Sequence, residues 1–252
     1  MNQTHALRAY IAFDFNLIFR ERVAMLLTFV MPAAMYAFFG MMFGQASYGP
    51  NGASFYDQYT SSFVGLILLN TALMSVAPML VIYKEMGFFR RLLVTPLDMT
   101  VVWLSSITRA FVMFLFGLVQ MLVIGWLMFD RVPTAPALDF AVGMLLTAFS
   151  LFSFGFMLGS FFRSSNAVFN AGMLIFQPML LLSGASIPLD QLPAFAQWVS
   201  KLVPMTYAVE VLRLCWIGEL FSAAAIQPTA VLLLFGIGCA LIARKTFRWS
   251  AK

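Results

Sequence analysis

Apolar runs long enough to cross a bilayer recur along almost the whole chain. A helix needs about 20 apolar residues to span the roughly 30 Å hydrocarbon core of a membrane. Of the 252 residues, 62% are hydrophobic and only 10% are charged, which is far from the usage of soluble domains. The sequence therefore predicts an all-α polytopic membrane protein with a single transmembrane domain over residues 1–252.

Six membrane-spanning helices fit these runs. Residues 1–22 mix charged and apolar side chains and predict an interfacial helix; a cleavable signal peptide is the alternative, but the next run is long enough to span. Arg109 is expected to extend its long side chain to the membrane surface. The predicted spans are residues 23–43, 62–83, 101–129, 140–162, 167–185 and 229–243.

Positive charge sets the expected orientation of these spans. With both termini on one side, that side holds twelve of the fifteen Lys and Arg residues but only four of the ten Asp and Glu residues. Because Lys and Arg are enriched in cytoplasmic loops, we expect a multi-pass protein of the plasma (inner) membrane with both termini in the cytoplasm. Cys215 and Cys239 stand alone in apolar surroundings and indicate neither a disulfide framework nor a metal site.

Residues 84–98 form the densest island of charge, on the predicted cytoplasmic side. Apolar residues at helical spacing alternate there with basic ones, which predicts a short helix over residues 86–94 that rests on the membrane or enters a groove of a soluble partner. A solvated basic loop that only fixes topology is the alternative. The candidate docking residues are Glu85, Gly87, Phe88, Phe89, Arg90, Arg91 and Leu92.

Residues 186–226 differ from the other connections. They are too apolar for a solvated loop and too often interrupted by proline to cross as one helix. The pattern predicts a re-entrant helical hairpin that caps the outer side, with an ordinary membrane-hugging loop as the alternative. Its candidate residues are Pro188, Leu189, Asp190, Pro193, Trp198, Pro204, Tyr207, Glu210 and Arg213.

Polar and small residues inside the spans have two uses. Asn70, Gln120, Asn170 and Gln177 are candidates to line a path for an amphipathic solute; hydrogen bonds between helices, worth about 0.6 kcal/mol on average, are the alternative. The G-x-x-x-G patterns at residues 40–44 and 155–159 permit close helix approach, and we expect them to serve packing within one chain, with a dimer seam as the alternative.

Catalytic motifs are missing from this sequence. A P-loop needs a Gly-Lys pair to hold phosphate, and no such pair occurs. The single histidine, His5, excludes the H-E-x-x-H zinc motif and histidine-based triads within the membrane. We therefore expect this chain to be no enzyme and to bind no cofactor, metal or nucleic acid itself.

Three motifs carry a family resemblance. They are K-E-x-G-x-x-x-R-L-L-x-T-P-L at 84–97, L-S-G-x-x-I-P-L-D-x-L-P at 182–193 and P-M-T-Y-A-V-E-x-L-R at 204–213. The first motif lies on the opposite side of the bilayer from the other two, six spans are predicted around them, and an amphipathic N-terminal helix precedes them. This order resembles the permease subunits of type-2 ABC exporters. Phe88 departs from the E-x-G-T that is common at the first motif.

The resemblance implies an assembly of two permease units, identical or paralogous, with two separate P-loop ATPase subunits that hold ATP and magnesium. It also implies export of a drug, a peptide, a lipid-linked molecule or a glycan. The alternative is a secondary transporter or channel without an ATPase partner. Such proteins usually place ionisable residues near the membrane midplane, and the predicted spans hold no central acid.

The predicted topology can be tested by single-cysteine labelling in a background without the native cysteines. We expect positions 88 and 164 to react with a membrane-impermeant maleimide only after the cells are opened, and position 134 to react in intact cells. Reaction of position 88 or 164 from outside intact cells would reverse the map.

Overall fold

The computed structural model describes residues 30, 33–34, 36–38, 40–42, 47–48, 53–87, 99–130, 136–186 and 189–246. The predicted interfacial helix at 1–22 and most of the first predicted span at 23–43 lie outside these residues. The described positions between 30 and 42 are helical.

The described chain is helical apart from one short antiparallel pair, in which Ser47 faces Ser54 and Tyr48 faces Ala53. The elements are, in order, β1 Ser47–Tyr48, β2 Ala53–Ser54, α1 Phe55–Asn70, a π-helical segment Thr71–Val76, α2 Ala77–Glu85, α3 Met99–Phe129, α4 Ala137–Phe161, α5 Ser165–Leu182, a 3-10 turn Leu189–Gln191, α6 Ala194–Ser200, α7 Pro204–Trp216 and α8 Ala223–Thr246.

Five helices are long and apolar enough to cross a membrane. They are Tyr59–Glu85, Ile107–Phe129, Ala137–Phe161, Ser165–Leu182 and Ala223–Thr246, all within the described residues. They correspond in order to the second to sixth predicted spans. The total of six spans stays a prediction, because the first lies mostly outside the described residues.

Two predicted boundaries are wrong. The loop predicted for 44–61 gives way to α1 already at Phe55. The last span begins at Ala223 instead of residue 229, so Pro228 lies inside α8 and the outer region ends before its predicted limit of residue 226. Pro228 is the sixth residue of α8, so the carbonyl of Ala224 lacks the helical donor that another residue at 228 would supply.

Helix α4 packs against α1, α2, α7 and α8 and lies at the centre of the bundle. A Cβ atom added at Gly155 would overlap the carbonyl oxygen of Ala72, and one at Gly159 would lie 2.7 Å from the carbonyl oxygen of Ala77. These contacts confirm that the G-x-x-x-G pattern of α4 serves packing within the chain.

The span Tyr59–Glu85 contains a π-helical segment that the sequence did not predict. The N–H of Ala77 donates to the carbonyl of Ala72, five residues earlier, so the turn is wider than in an α-helix. Pro78 follows directly, and its ring would clash with the carbonyl of Met74 in a regular helix. The wider turn is a common way for a helix to accommodate such a residue.

Arg109 does not extend outward as predicted. On α3 its residue exposure is only 4%, so the side chain is covered by the protein. A buried guanidinium group avoids hydrocarbon by contacting other groups of the protein, which satisfies its charge better than lipid does.

Close packing at Gly155 can be tested by substitution. We expect Gly155→Ala to lower the free energy of unfolding by roughly 1–3 kcal/mol or more, because the added methyl group overlaps backbone. Gly238→Ala on α8 is the matched control, since no atom lies within 4 Å of the added Cβ. Thermal unfolding midpoints in the same nanodiscs measure both variants, and equal midpoints would contradict the packing described here.

Candidate functional site

Three helix ends meet at one end of the bundle, which we call the near end. In the last turn of α2, Lys84 donates hydrogen bonds from its Nζ to the carbonyl oxygens of Gly159 at 2.7 Å and Ser160 at 2.9 Å. The neighbouring Glu85 accepts a hydrogen bond at its Oε1 from the backbone N–H of Ser165, at 2.9 Å. The C-termini of α2 and α4 and the N-terminus of α5 therefore lie together, as the predicted topology requires.

Helix α2 ends before the predicted short helix at 86–94 begins. Met86 caps α2, and Gly87 has a φ of +64°, the left-handed conformation that terminates many helices. The prediction that the short helix starts at Met86 is therefore wrong. Glu85, expected in the loop, lies in the last turn of α2. Phe88, Phe89, Arg90, Arg91 and Leu92 lie outside the described residues.

Helix α7 enters the bundle from the opposite end, which we call the far end. A Cβ added at Gly65 of α1 would lie 3.0 Å from Met205 and 3.3 Å from Leu212, so α7 packs directly on α1. Its last residue, Trp216, contacts the ring of Phe140 near the start of α4, with ring centroids 5.8 Å apart. With 13 residues, α7 is only about 20 Å long and is too short to cross a membrane.

Two hydroxyl groups fasten α7 to α6. Thr206 donates to the carbonyl of Ser200, and Tyr207 donates to the carbonyl of Lys201, both at 2.7 Å. Thr206 also lies 3.5 Å from the carbonyl oxygen of Leu182, where α5 ends. These bonds satisfy carbonyl groups at the ends of two helices and fix the corner between α6 and α7.

The predicted hairpin residues spread over both sides of this corner. Trp198 on α6 is 65% exposed and Phe195 is 79% exposed, so α6 presents an apolar face away from the bundle. Pro188 and the side chain of Asp190 lie outside the described part of the structure. Of the other candidates, Leu189 is half-buried in the 3-10 turn, Pro193 is exposed before α6, Pro204 begins α7, Glu210 is half-buried and Arg213 is exposed.

Cys215 near the end of α7 is a free and buried thiol. Burial, and then the negative charge of Asp139, raise the pKa of Cys215 to about 12. The thiolate is the reactive form, so this cysteine is protonated and unreactive at neutral pH. Cys239 is likewise free and buried, and the structure contains no disulfide between the two.

Helix α5 carries amide side chains on an exposed face. Asn170 and Gln177 are both exposed and seven residues apart, which places them on the same side of the helix. Asn166, which the sequence analysis missed, is exposed on that side one turn earlier; its spacing of four residues was the available signal. We call these three residues the amide face.

Pro178 leaves a backbone carbonyl without a helical donor in the same part of α5. Pro178 lies inside the helix, so the carbonyl of the exposed residue Leu174 lacks its usual helical donor. The remaining candidates, Asn70 at the end of α1 and Gln120 on α3, are half-buried. Within the described chain, no hydrogen bond joins any two of the four predicted path residues. Only Asn170 and Gln177 therefore form a common surface.

The part of the chain that the structure describes holds no group of three His, Cys, Asp or Glu residues able to bind a metal. Lys84 and Glu85 instead contact helix ends, and the exposed amides of Asn170 and Gln177 lie on a candidate span.

Comparison with known proteins identifies the family. A family model described as ABC-2 type transporter matches residues 5–215. Nodulation protein J of Rhizobium leguminosarum bv. viciae is 28% identical over 79 residues, which is 30% of either chain. Nodulation protein J of Rhizobium meliloti (strain 1021) is 40% identical over 46 residues, 18% of either chain. These alignments span less than a third of each relative, whereas the family model covers most of the sequence. The chain is a multi-pass membrane protein of the ABC-2 type transporter family, in which it forms a membrane-spanning permease subunit.

Proposed function

We propose that this permease exports an amphipathic solute, with energy from ATP bound with magnesium on separate P-loop ATPase subunits. A second permease, either another copy or a paralogue, completes the assembly. We place the complex in the plasma (inner) membrane with the near end in the cytoplasm. The exposed amide face of α5 on a candidate membrane span is the observation that carries the transport proposal.

Amide groups are costly in hydrocarbon unless they find polar partners. Asn170 and Gln177 are exposed on a helix that is otherwise apolar enough to span a membrane. The adjacent carbonyl of Leu174, freed by Pro178, adds an acceptor to this region. A polar, water-accessible path along α5 would satisfy all these groups and would offer hydrogen bonds to a drug, peptide, lipid-linked molecule or glycan.

The far end supplies a suitable cap for this path. The corner of α6 and α7 contacts the end of α5 through Thr206, and α6 presents Phe195 and Trp198 outward. Exposed aromatic residues are typical of the membrane interface. We therefore propose that residues 186–222 dip into the outer leaflet as a re-entrant hairpin and close the path.

Cysteine accessibility tests the path and its cap together. We expect Gln177→Cys to react weakly with an impermeant maleimide from outside, and strongly once residues 189–202 are replaced by a flexible polar linker. Val123→Cys is the control, because Val123 is exposed on α3 at a similar distance from the far end. Equal reaction of the Gln177→Cys variant with and without the linker would exclude the cap, and no reaction in either protein would exclude the path.

ATPase docking is proposed for the segment that follows α2. Gly87 ends α2 and separates it from Phe88 to Leu92, so a short helix there is free to take its own direction. We propose that Phe88, Phe89 and Leu92 enter a groove of the ATPase subunit. Arg90 and Arg91 meet its acidic groups or lipid phosphates.

Docking can be tested by placing charge on the apolar side of this segment. We expect Phe88→Asp with Leu92→Asp to abolish both co-purification of the P-loop ATPase subunit and solute transport, while membrane insertion is unchanged. Thr95→Asp with Thr100→Asp adds the same charge outside the proposed helix, and this variant should keep both ATPase co-purification and solute transport. A Phe88, Leu92 variant that still binds the ATPase and transports would rule out docking at these residues.

A further inference from the structure

Two neighbouring residues of opposite charge, Lys84 and Glu85, bind opposite ends of two consecutive helices. Lys84 contacts the C-terminus of α4 through Gly159 and Ser160. Its Nζ also lies 3.5 Å from the carbonyl oxygen of Phe162. Glu85 contacts the first residue of α5, Ser165. Only residues 162–164 separate α4 from α5, so the pair holds this turn from both sides.

Each charge matches the helix end that it contacts. The last carbonyl groups of a helix carry partial negative charge and favour a cation, whereas the first N–H groups carry partial positive charge and favour an anion. Lys84 is only 8% exposed, and the carbonyl oxygens of Gly159 and Ser160 replace the water lost around its ammonium group. If the two charges were exchanged, each side chain would meet a helix end that carries partial charge of its own sign.

Close backbone packing extends this contact along α2. The carbonyl oxygen of Ala77 lies 2.7 Å from the position that a Cβ of Gly159 would take, so the backbones of α2 and α4 are in close contact. Gly87, two residues after Glu85, has the left-handed conformation that glycine adopts without strain. The contacts of Lys84 and Glu85 therefore join α2 to α4 and α5, and Gly87 lies between these contacts and the docking segment.

We propose that Lys84 and Glu85 form a clamp that passes displacement of the docking segment to α5 and so to its amide face. The clamp rests on the proposed function, since it assigns a route between ATPase docking and the solute path. Both are positioning residues, which act through α4 and α5 and do not touch the solute. If the clamp is lost, ATP hydrolysis should continue, but it should no longer be accompanied by movement of α5.

Hydrogen–deuterium exchange of the permease alone in nanodiscs tests the contact without an ATPase. We expect Glu85→Ala to raise exchange of the amides in the first turn of α5 by roughly tenfold or more, because the N–H of Ser165 loses a charged acceptor. Glu219→Ala, which removes an exposed glutamate at the far end, is the control and should leave this peptide unchanged. Unchanged exchange in Glu85→Ala would overturn the Glu85 contact.

Movement of α5 is measured in the complete complex with a bimane fluorophore on Met173→Cys, which is exposed on α5. We expect magnesium ATP with vanadate to shift the emission in the otherwise native complex. Lys84→Met should retain ATP hydrolysis and lose most of this shift, and Glu85→Ala should also lose most of it. Lys84→Arg, which keeps the charge, should restore part of it, and Lys245→Met, at an exposed lysine in the last turn of α8, should behave as the native protein.

The outcomes separate the two proposals. Failure of the native chain to bind an ATPase, or to hydrolyse ATP with one, would overturn the proposed function. A native complex whose α5 label responds to ATP, with an equal response in Lys84→Met and Glu85→Ala, would overturn the clamp alone. Loss of the response together with loss of ATP hydrolysis in Lys84→Met would also overturn it, because a clamp must leave hydrolysis intact.

Discussion

Close backbone contact at α4 is the constraint on which the rest of the bundle depends. In hydrocarbon, apolar surface gains little from burial between helices, so small residues that allow dense packing decide which helices meet. Gly155 and Gly159 bring α4 against the first described span, and Gly143 brings it against Cys215 of α7. On another face, Ser150 donates to the carbonyl of Leu232 on α8 at 2.9 Å. One helix therefore fixes the position of three others.

Helices α3 and α5 are held less tightly by the described chain. Both keep large exposed surfaces, with side chains such as Phe116 on α3 and Leu174 on α5. On α3 this surface is apolar and suits lipid, whereas on α5 it includes the amide face. The exposed surfaces of these two helices therefore differ in chemistry, since amides lie among the apolar residues of α5.

Span positions could be predicted from the sequence because bilayer thickness sets a minimum length of apolar helix. The G-x-x-x-G pairing was predicted for the same kind of reason, since glycine at a spacing of four residues forms a flat helix surface. The start of α8 was predicted too late because Pro228 was taken as a helix boundary, whereas it lies in the second turn of the helix. The π-helical segment has no local signature beyond the nearby Pro78, so no periodicity could have placed it.

The near end shows why site residues are harder to predict than spans. Lys84 and Glu85 were assigned to a loop because charge is rare inside helices of membrane proteins, yet their partners lie at residues 159, 160 and 165. Contacts across more than 70 residues leave no mark in a local pattern. Gly87 was the available signal, because glycine with a left-handed φ commonly follows the last turn of a helix.

The π-helical segment Thr71–Val76 sets the rotational register of α2. Each residue of an α-helix turns the chain by about 100°, so removal of one residue from the wide turn would rotate everything that follows by about that angle. Lys84 would then face away from α4, and Ala77 would no longer oppose Gly159. A single extra residue in the middle of the membrane thus determines which side chains are available at its surface, more than about 10 Å further along the same helix.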